Sequence, residues 1–309
     1  MDPRDKILLD RRHVLECMVW AGAGLVWTVN GGVPTSKLIS EAKAAEGGFS
    51  FVQISDSHIG FSKPANPDAS ATLNLAIDKI VAAPPGAAFM IHTGDISHLA
   101  TDRQFDDAAQ IISRAKLDVH YAPGEHDILD AKSRDGYLKR FGPGAGGDGW
   151  YAFDHGGVHF ISLNNVVNLQ KNGLGFLGGD QLAWLADDLK GKTDSTPIVV
   201  FAHIPLWMIA PEWGWGTDDA AQAMTLLARF GSVTVLNGHI HQLLQKVEGN
   251  VTFHTARSTA FPQPAPGTAP APGPMLVPAG DLQKYLGVRA VTYAQGNAPL
   301  AIVDSALAG

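Results

Sequence analysis

The segment FSFVQISDSH, residues 49–58, decides the fold class and begins the candidate site. Apolar and polar residues alternate from Phe49 to Ser55, which predicts a β-strand. Asp56 and His58 follow directly, at the point where that strand ends. A carboxylate and an imidazole are both common metal ligands, and the same arrangement recurs along the chain.

Four more polar clusters follow predicted strands. They are Gly94-Asp95, Gly124-Glu125-His126-Asp127, Ala202-His203 and Gly238-His239-Ile240-His241. Ligands collect at the carboxyl ends of strands in sheets flanked by helices, so we expect these clusters to meet at one edge. Each cluster alone is more typical of a turn, a helix cap or an ordinary histidine. Together, in this order, the five clusters predict a metal site.

The spacing within two clusters predicts how the ligands point. In an extended segment alternate side chains face the same way, so Asp56 with His58 and His239 with His241 are each expected to close on one ion. Glycines at 94, 124 and 238 allow sharp turns of the backbone beside the ligands. Oxygen and imidazole donors without a thiolate suit Mn, Fe, Zn or Co.

Strands and helices alternate through most of the chain. Helices are predicted over 71–82, 102–115, 180–189 and 219–229; strands over 49–55, 87–91, 117–122, 197–202, 233–236, 288–293 and 300–303; and hairpins over 150–163 and 243–255. Residues 261–278 are rich in Pro, Ala and Gly, which predicts a long surface loop. We interpret 45–309 as a single domain that contains this loop.

The order D-x-H, G-D, G-x-H-D, H and G-H-x-H resembles that of the calcineurin-like metallophosphoesterase superfamily, and within it the bacterial cyclic-nucleotide phosphodiesterases. The resemblance extends from about Phe51 to His241. It implies an α/β fold, a four-layer α/β/β/α sandwich with two mixed β-sheets. It also implies two metal sites, with Asp56, His58 and His241 at one, His203 and His239 at the other, and Asp95 between them.

The same resemblance implies a reaction and its participants. The reaction is hydrolysis of a small-molecule phosphate mono- or diester by hydroxide generated between two transition-metal ions, Fe, Mn or Zn. His126 is implied to lie beside the leaving group, where it donates a proton. Asp127 is implied to orient His126, although a solvated turn residue is an equally good interpretation of Asp127.

Two residues depart from the family pattern. Glu125 stands where the family has Asn, so the centre holds three carboxylates, whose charge balances two divalent ions and one hydroxide. His98, three residues after Asp95, is a candidate extra ligand, a group behind the ligands, or an exposed loop histidine. These departures leave two alternatives open. One is a carboxylate-rich dimetal enzyme, for example one with iron, that carries out redox or non-phosphate chemistry. The other is a metal-bound binding protein with little catalysis.

Aromatic residues after His203 are candidates for a wall of the substrate site. Trp207, Trp213 and Trp215 lie close to a metal ligand in sequence, where an aromatic surface can stack on an aryl group or a base. Core packing is the alternative interpretation. The loop from Phe261 is expected to cover the site as a lid.

Composition and the N-terminus bear on location and partners. A net charge of −7 argues against a nucleic-acid polymer as partner. Arg11-Arg12, the apolar run 17–29 and the A-x-A motif at 42–44 predict a twin-arginine-like signal peptide over 1–44. The run is too short to predict a stable membrane span in the mature form, so a periplasmic or extracellular protein is expected. An N-terminal helix packed on the domain is the alternative.

Overall fold

A computed structural model describes residues 25–30, 33–38, 48–83, 86–142, 149–278, 280–294 and 297–308 of the chain. The first two described segments, β1 (Leu25–Asn30) and β2 (Val33–Leu38), form an antiparallel hairpin. The twin-arginine motif, Cys17 and the A-x-A motif lie outside the described residues. Among the described helices none is both long and apolar enough to cross a membrane.

A five-stranded mixed sheet carries the first half of the site. Its strands are β3 (Phe49–Ile54), β4 (Ala87–His92), β5 (Val119–Tyr121), β12 (Gly287–Ala294) and β13 (Asn297–Ala306). They lie in the order β13-β12-β3-β4-β5. Strands β3, β4 and β5 are parallel, so their carboxyl ends meet at one edge, and β12 and β13 join antiparallel.

A six-stranded mixed sheet carries the second half. Its strands are β6 (Tyr151–His155), β7 (Val158–Ser162), β8 (Ile198–Phe201), β9 (Val233–Asn237), β10 (Gln245–Glu248) and β11 (Val251–Thr255). They lie in the order β10-β11-β9-β8-β7-β6. The four central strands are parallel, whereas β6 and β10 pair antiparallel at the edges.

Three of the six described helices begin at side chains that cap them. The six are α1 (Ala69–Ala82), α2 (Asp102–Ser113), α3 (Ala131–Phe141), α4 (Gly179–Leu189), α5 (Ala220–Leu227) and the short α6 (Leu282–Tyr285). The side chains of Asp68 and Thr101 accept hydrogen bonds from the first turns of α1 and α2. Asp130 and Ser133 form a reciprocal capping box at α3.

Three hydrophobic clusters separate four layers. The central cluster lies between the sheets and includes Phe51, Phe89, Phe160 and Phe201. A second cluster joins the five-stranded sheet to α1, α2 and α3, and a third joins the six-stranded sheet to α4 and α5. Successive strand residues alternate between these clusters, which requires strands that are apolar on both faces. The predicted four-layer α/β/β/α fold is confirmed.

The predicted elements agree with the structure within a few residues, but α3, the short α6 and the β1–β2 hairpin were not predicted. Helix α3 was not predicted, because Gly136 and several charged residues interrupt its apolar pattern, and only Tyr137 and Phe141 bury large side chains there. Its capping box was the available signal. Residues 261–278 form a loop without regular elements, as predicted.

Candidate metal centre

The five polar clusters all lie directly after strand ends, and both sheets contribute. Strands β3, β4 and β5 lead into Asp56 and His58, Asp95, and Glu125 and His126, respectively. Strands β8 and β9 lead into His203 and into His239 and His241. The structure therefore brings together all seven residues predicted as ligands.

The ligand backbone is strained. Of the eight described non-glycine residues with positive φ, five are candidate ligands: Asp56, His58, Asp95, His239 and His241. Each such residue costs on the order of 1–3 kcal/mol, and such strain concentrates at functional sites. The ligand pairs are therefore not in extended segments, and the expectation that alternation aligns them is wrong.

One half of the centre, which we call the inner half, consists of Asp56, His58 and His241. Their ligand atoms all lie within 4.8 Å of one another. His241 Nε2 is 3.2 Å from Asp56 Oδ1 and 3.3 Å from His58 Nε2. All three side chains are almost completely buried.

The other half, the outer half, consists of Glu125, His203 and His239, again within 4.8 Å of one another. Glu125 Oε2 is 2.8 Å from His203 Nε2, and Glu125 Oε1 is 3.0 Å from His239 Nδ1. His239 and His241 thus belong to different halves, which corrects the expectation from their spacing and agrees with the assignment implied by the resemblance.

Asp95 lies between the halves. Its Oδ2 atom is 3.4 Å from His58 Nε2 in the inner half and 3.4 Å from His203 Nε2 in the outer half. One carboxylate oxygen at equal distance from both halves is suited to bridging two cations.

Three buried atoms in the outer half have no hydrogen-bond partner: Glu125 Oε2, His203 Nε2 and His239 Nε2. Although two of them are close, their contact lacks hydrogen-bond geometry. An unpaired buried polar atom costs about 1–3 kcal/mol, so three together require an explanation. A cation that accepts these nitrogen and oxygen lone pairs satisfies all three, and the donor set fits a transition metal.

The electrostatics favour the ionised carboxylates. Burial raises the pKa of Asp56 and of Glu125, but the neighbouring histidines outweigh burial and hold both pKa values below the ordinary range. Burial lowers the pKa of His203, yet Asp95 and Glu125 bring it well above its ordinary value. Burial holds the pKa of His58 well below its ordinary value. The ionised carboxylates therefore favour a positive charge beside them, which a protonated His203 or a bound cation can supply. His58 stays neutral, as a ligand must be.

Backbone carbonyls orient two of the imidazoles. His203 Nδ1 donates to the carbonyl oxygen of Thr93 at 2.7 Å, and His241 Nδ1 donates to that of Phe261. In each ring this hydrogen bond places a proton on Nδ1 and leaves Nε2 as the atom that can bind a metal at the centre, as is typical of metal-bound histidines.

Glycines let the ligand loops approach one another closely. A Cβ at Gly124 would lie 2.1 Å from Asp95 Oδ1, and one at Gly238 would lie 2.7 Å from Asp56 Oδ2. Only Gly94 among the three predicted glycines also has positive φ, at +94°. The role of Gly124 and Gly238 is therefore space beside a ligand, where a sharp turn was expected.

The residues after Glu125 have roles that differ from the prediction. Asp127 is buried and accepts hydrogen bonds from the backbone N–H groups of Ile96, Ser97 and Gly124 at 2.8–3.1 Å. It therefore fixes the loops that carry Asp95 and Glu125. His126 Nδ1 instead donates to the carbonyl oxygen of His98 at 2.8 Å. The expectation that Asp127 orients the His126 ring is wrong, because backbone donors occupy its carboxylate.

His98 contacts the inner half through the His58 ring, on the side that faces away from the other ligands. Its Nδ1 lies 3.5 Å from His58 Nδ1, the nitrogen opposite the one that approaches Asp95 and His241. Its ring also stacks on His126 at 5.0 Å between centroids. Burial lowers the pKa of His98 to about 4. The ligand atoms of His98, His58 and His126 lie within 4.8 Å of one another, so the structure is consistent with His98 as an extra ligand and with His98 as a group behind the ligands.

A cleft of about 320 Å³ opens over the centre. Trp213 and Trp215 line it, as predicted for a substrate wall, together with Phe61, Lys63 and Phe261. Trp207 does not line this cleft: it packs on Phe253 at 5.2 Å and on the core below the six-stranded sheet. Its assignment to the substrate wall is corrected, because its side chain faces the core.

The loop after Phe261 forms one side of the cleft and is attached to the ligand loop. The Gln263 amide donates to the carbonyl oxygen of His239 at 2.8 Å and accepts from the Gly273 amide at 3.0 Å. The Phe261 ring stacks on His58 and His241 at 4.8 and 4.6 Å between centroids. The loop from Phe261 was expected to cover the site, and it forms part of the cleft wall; the roles of the Phe261 ring and of Gln263 were not predicted.

Comparison with known sequences identifies relatives of the chain. A family model described as calcineurin-like phosphoesterase matches residues 49–243. A probable cyclic nucleotide phosphodiesterase of Rhodopseudomonas palustris is 24% identical over 203 residues, which cover 62% of this chain and 71% of that protein. A serine/threonine-protein phosphatase of Danio rerio is 25% identical over 230 residues, covering 65% and 73%.

Solved structures share the fold. A dimetal phosphatase from Danio rerio superposes with a TM-score of 0.60 at 16% identity, covering 82% of this chain and 98% of that one. A purple acid phosphatase from yellow lupin, Lupinus luteus, gives a TM-score of 0.60 at 12% identity, covering 84% and 52%. At these identities the likeness establishes the architecture.

Proposed function

The chain belongs to the calcineurin-like phosphoesterase family, and from this premise we propose how its cleft hydrolyses a phosphate ester. The reaction class is metal-dependent hydrolysis of phosphate mono- or diesters. The observation that carries the proposal is the pair of three-residue halves that share Asp95, with three orphaned buried atoms in the outer half.

In this proposal Asp56, His58 and His241 would hold one ion and Glu125, His203 and His239 would hold a second, with Asp95 placed to serve both. When bound, the two ions supply hydroxide near neutral pH and neutralise charge on the phosphoryl oxygens. Nitrogen and oxygen donors support Fe, Mn or Zn as the ions. The third carboxylate, Glu125, adds negative charge to the outer half, which favours a hard or highly charged ion there.

His126 is proposed to donate a proton to the leaving oxygen. It lines the cleft, and its Nδ1–H is committed to the carbonyl oxygen of His98, so Nε2 is the nitrogen free to act on a substrate. Asp127 connects the loops that carry Asp95 and Glu125, and His98 holds the rings of His126 and His58 in place. These are positioning roles, since neither carboxylate nor imidazole needs to touch the reacting atoms.

Export through the twin-arginine route to the periplasm or the exterior is also proposed. It is supported by Arg11-Arg12, the apolar run and the A-x-A motif. Such a route carries folded proteins, which suits a chain whose ligands come from both sheets. Fusion of residues 1–44 to a reporter that is active only after export tests it; an intracellular reporter would count against it.

The reaction itself is tested by metal analysis combined with 4-nitrophenyl phosphate and bis(4-nitrophenyl) phosphate hydrolysis. We expect two transition-metal ions per chain and turnover of at least one ester. Asp95→Asn, which removes the shared charge, is expected to lower metal content and turnover together.

Two results would contradict the proposal. Bound iron with a visible absorption band and no ester turnover would indicate redox chemistry on the same fold. Two bound ions with neither activity would indicate a binding protein.

A further inference from the structure

The cleft has chemistry beyond the metal ligands that restricts its substrate. Resting on the proposed function, we propose that it selects phosphate esters whose organic group is aromatic and carries a second negative charge. The aromatic group packs on Trp213, and the second charge pairs with Lys63. The volume of about 320 Å³ suits a small organic ester of this kind.

Trp213 presents an aromatic surface that is held in place. It is partly exposed, lines the cleft, and packs edge-on against the buried Trp215 with ring centroids 5.1 Å apart. The surrounding turn is closed by backbone hydrogen bonds from Trp213 and Trp215 to the Ala210 carbonyl oxygen at 2.9 and 3.1 Å. A ring fixed in this way stacks on a ligand with little loss of side-chain entropy.

A second aromatic pair lines the same cleft. Phe61 and Phe261 have ring centroids 4.3 Å apart. Leu169 adds an aliphatic surface that is 42% exposed. Phe61 and Phe261 are almost fully buried and form the floor of the cleft. The apolar surface left in water by a purely polar ester is therefore that of Leu169 and Trp213, which an aromatic ester covers.

Lys63 is the only lysine or arginine among the described residues that line the cleft. Its ammonium group has no carboxylate within ion-pair distance in the described part of the chain and lies 5.8 Å from the Phe61 ring centroid. Its backbone is fixed by reciprocal hydrogen bonds with Asn66 at 3.2 and 2.9 Å. A positive charge without an internal partner, at the wall of a cleft, is available to an anion.

The net charge of the metal centre bears on what Lys63 contributes to substrate binding. The centre contains three carboxylates, Asp56, Asp95 and Glu125, which cancel most of the charge of two divalent ions. The ions therefore add little attraction for a second anionic group on the substrate, and a cationic side chain at the cleft wall supplies that attraction. The scissile phosphate belongs at the ions, so the lysine is left for a different anionic group.

Three esters of similar alcohols test the proposal without differences in leaving-group chemistry. They are n-butyl phosphate, benzyl phosphate and 4-carboxybenzyl phosphate, measured with the metal-loaded full chain. We expect kcat/KM to rise in that order. Trp213→Leu should lower kcat/KM for both benzyl esters about tenfold relative to the butyl ester.

Lys63→Gln isolates the charge. We expect about fivefold lower kcat/KM for 4-carboxybenzyl phosphate and no change for benzyl phosphate. Lys171→Gln is the matched control, because Lys171 precedes cleft residue Asn172 but does not itself line the cleft. It should change neither ester. An equal loss for all three esters with Lys63→Gln, or no loss, would overturn the subsite.

Binding separates failure of this inference from failure of the proposed function. The nonhydrolysable benzylphosphonate and 4-carboxybenzylphosphonate are titrated calorimetrically into metal-loaded wild type and Lys63→Gln. Tighter binding of 4-carboxybenzylphosphonate than of benzylphosphonate, without turnover of any ester, would contradict the proposed function and support the subsite. Turnover with no preference among the esters or the phosphonates would sink the subsite alone.

Discussion

The inner and outer halves of the metal centre use similar ligand atoms but differ in how the surrounding residues bury them and satisfy their hydrogen bonds. In the inner half, the Phe261 ring packs on both imidazoles. In the outer half, the side chains of Glu125 and His239 are 24% and 13% exposed, and all three orphaned ligand atoms lie there. The protein completes the inner half by itself, whereas the outer half needs its ion. We therefore expect the outer ion to exchange first.

The largest expected effect comes from removing one histidine from each half. His241→Ala and His239→Ala should each lower turnover at least about 100-fold, because even groups behind the ligands are worth 10–100-fold. Each variant should retain one ion per chain. During chelation of the wild type, the ion that His239→Ala lacks should leave first.

Metal analysis during timed chelation measures this order. His155→Gln, whose ring packs on Phe49 between the sheets, is the control and should keep both ions. Loss of the inner ion first, or simultaneous loss of both, would remove the distinction between the halves.

The second effect concerns the charge of the outer half. Glu125→Asn and Glu125→Gln both remove one negative charge, and the Gln variant keeps the side-chain length. We expect phosphoesterase turnover to rise about fivefold, the value of one nearby charge in a well-screened site. Turnover and metal content are measured together. Unchanged or lower turnover with both ions present would contradict the charge argument.

A smaller effect tests how the outer half is tied to the loop over the cleft. Gln263→Met keeps the volume but removes the hydrogen bonds to His239 and Gly273, worth about 1 kcal/mol each. Amide exchange at Gly273 should accelerate about tenfold, and KM should rise. Gln170→Met, on another loop, is the control. Unchanged exchange at Gly273 would show that the loop is held by other contacts.

The smallest effect on the metal centre itself is expected from a pH dependence of stability that arises away from both halves and must be subtracted when they are compared. Burial and the charge of Arg289 lower the pKa of His254 from 6.5 to about 3. The unfolded chain binds this proton first, so the free energy of unfolding is highest above pH 6.5 and falls as the pH drops toward 3. Denaturant titrations should show a slope of at most about 1.4 kcal/mol per pH unit from this group. His254→Gln should lose this contribution and keep the part of the slope that comes from other histidines with lowered pKa values, such as His98; an identical slope would assign all of it elsewhere.

Sequence reasoning located the centre, but residue spacing alone did not give its internal arrangement. Strand ends could be predicted because the apolar or alternating pattern of a strand stops at a polar residue such as Asp56 or Asp95. The division of His239 from His241 followed from the family resemblance and not from their spacing, because it depends on positive φ values that neither residue favours. It is the surrounding structure that imposes those values.

The remaining differences have local physical causes. Asp127 was expected to hold an imidazole, yet three backbone N–H groups compete for it and occupy its oxygens. Trp207 and Trp213 are close in sequence, but the one packs into the core and the other faces the cleft. No periodicity distinguishes them, because the segment between them is an irregular loop.

The inner half joins the first ligand cluster of the chain to the last. Asp56 accepts a hydrogen bond from the His239 amide, 183 positions later, and the strand that follows still later, β12, inserts beside β3. The complete site therefore exists only in the folded chain, so metal loading is coupled to folding. Which metal the enzyme carries is then decided by the supply in the compartment where it folds. If the proposed twin-arginine route operates, that compartment is the cytoplasm, whatever ions surround the protein at its destination.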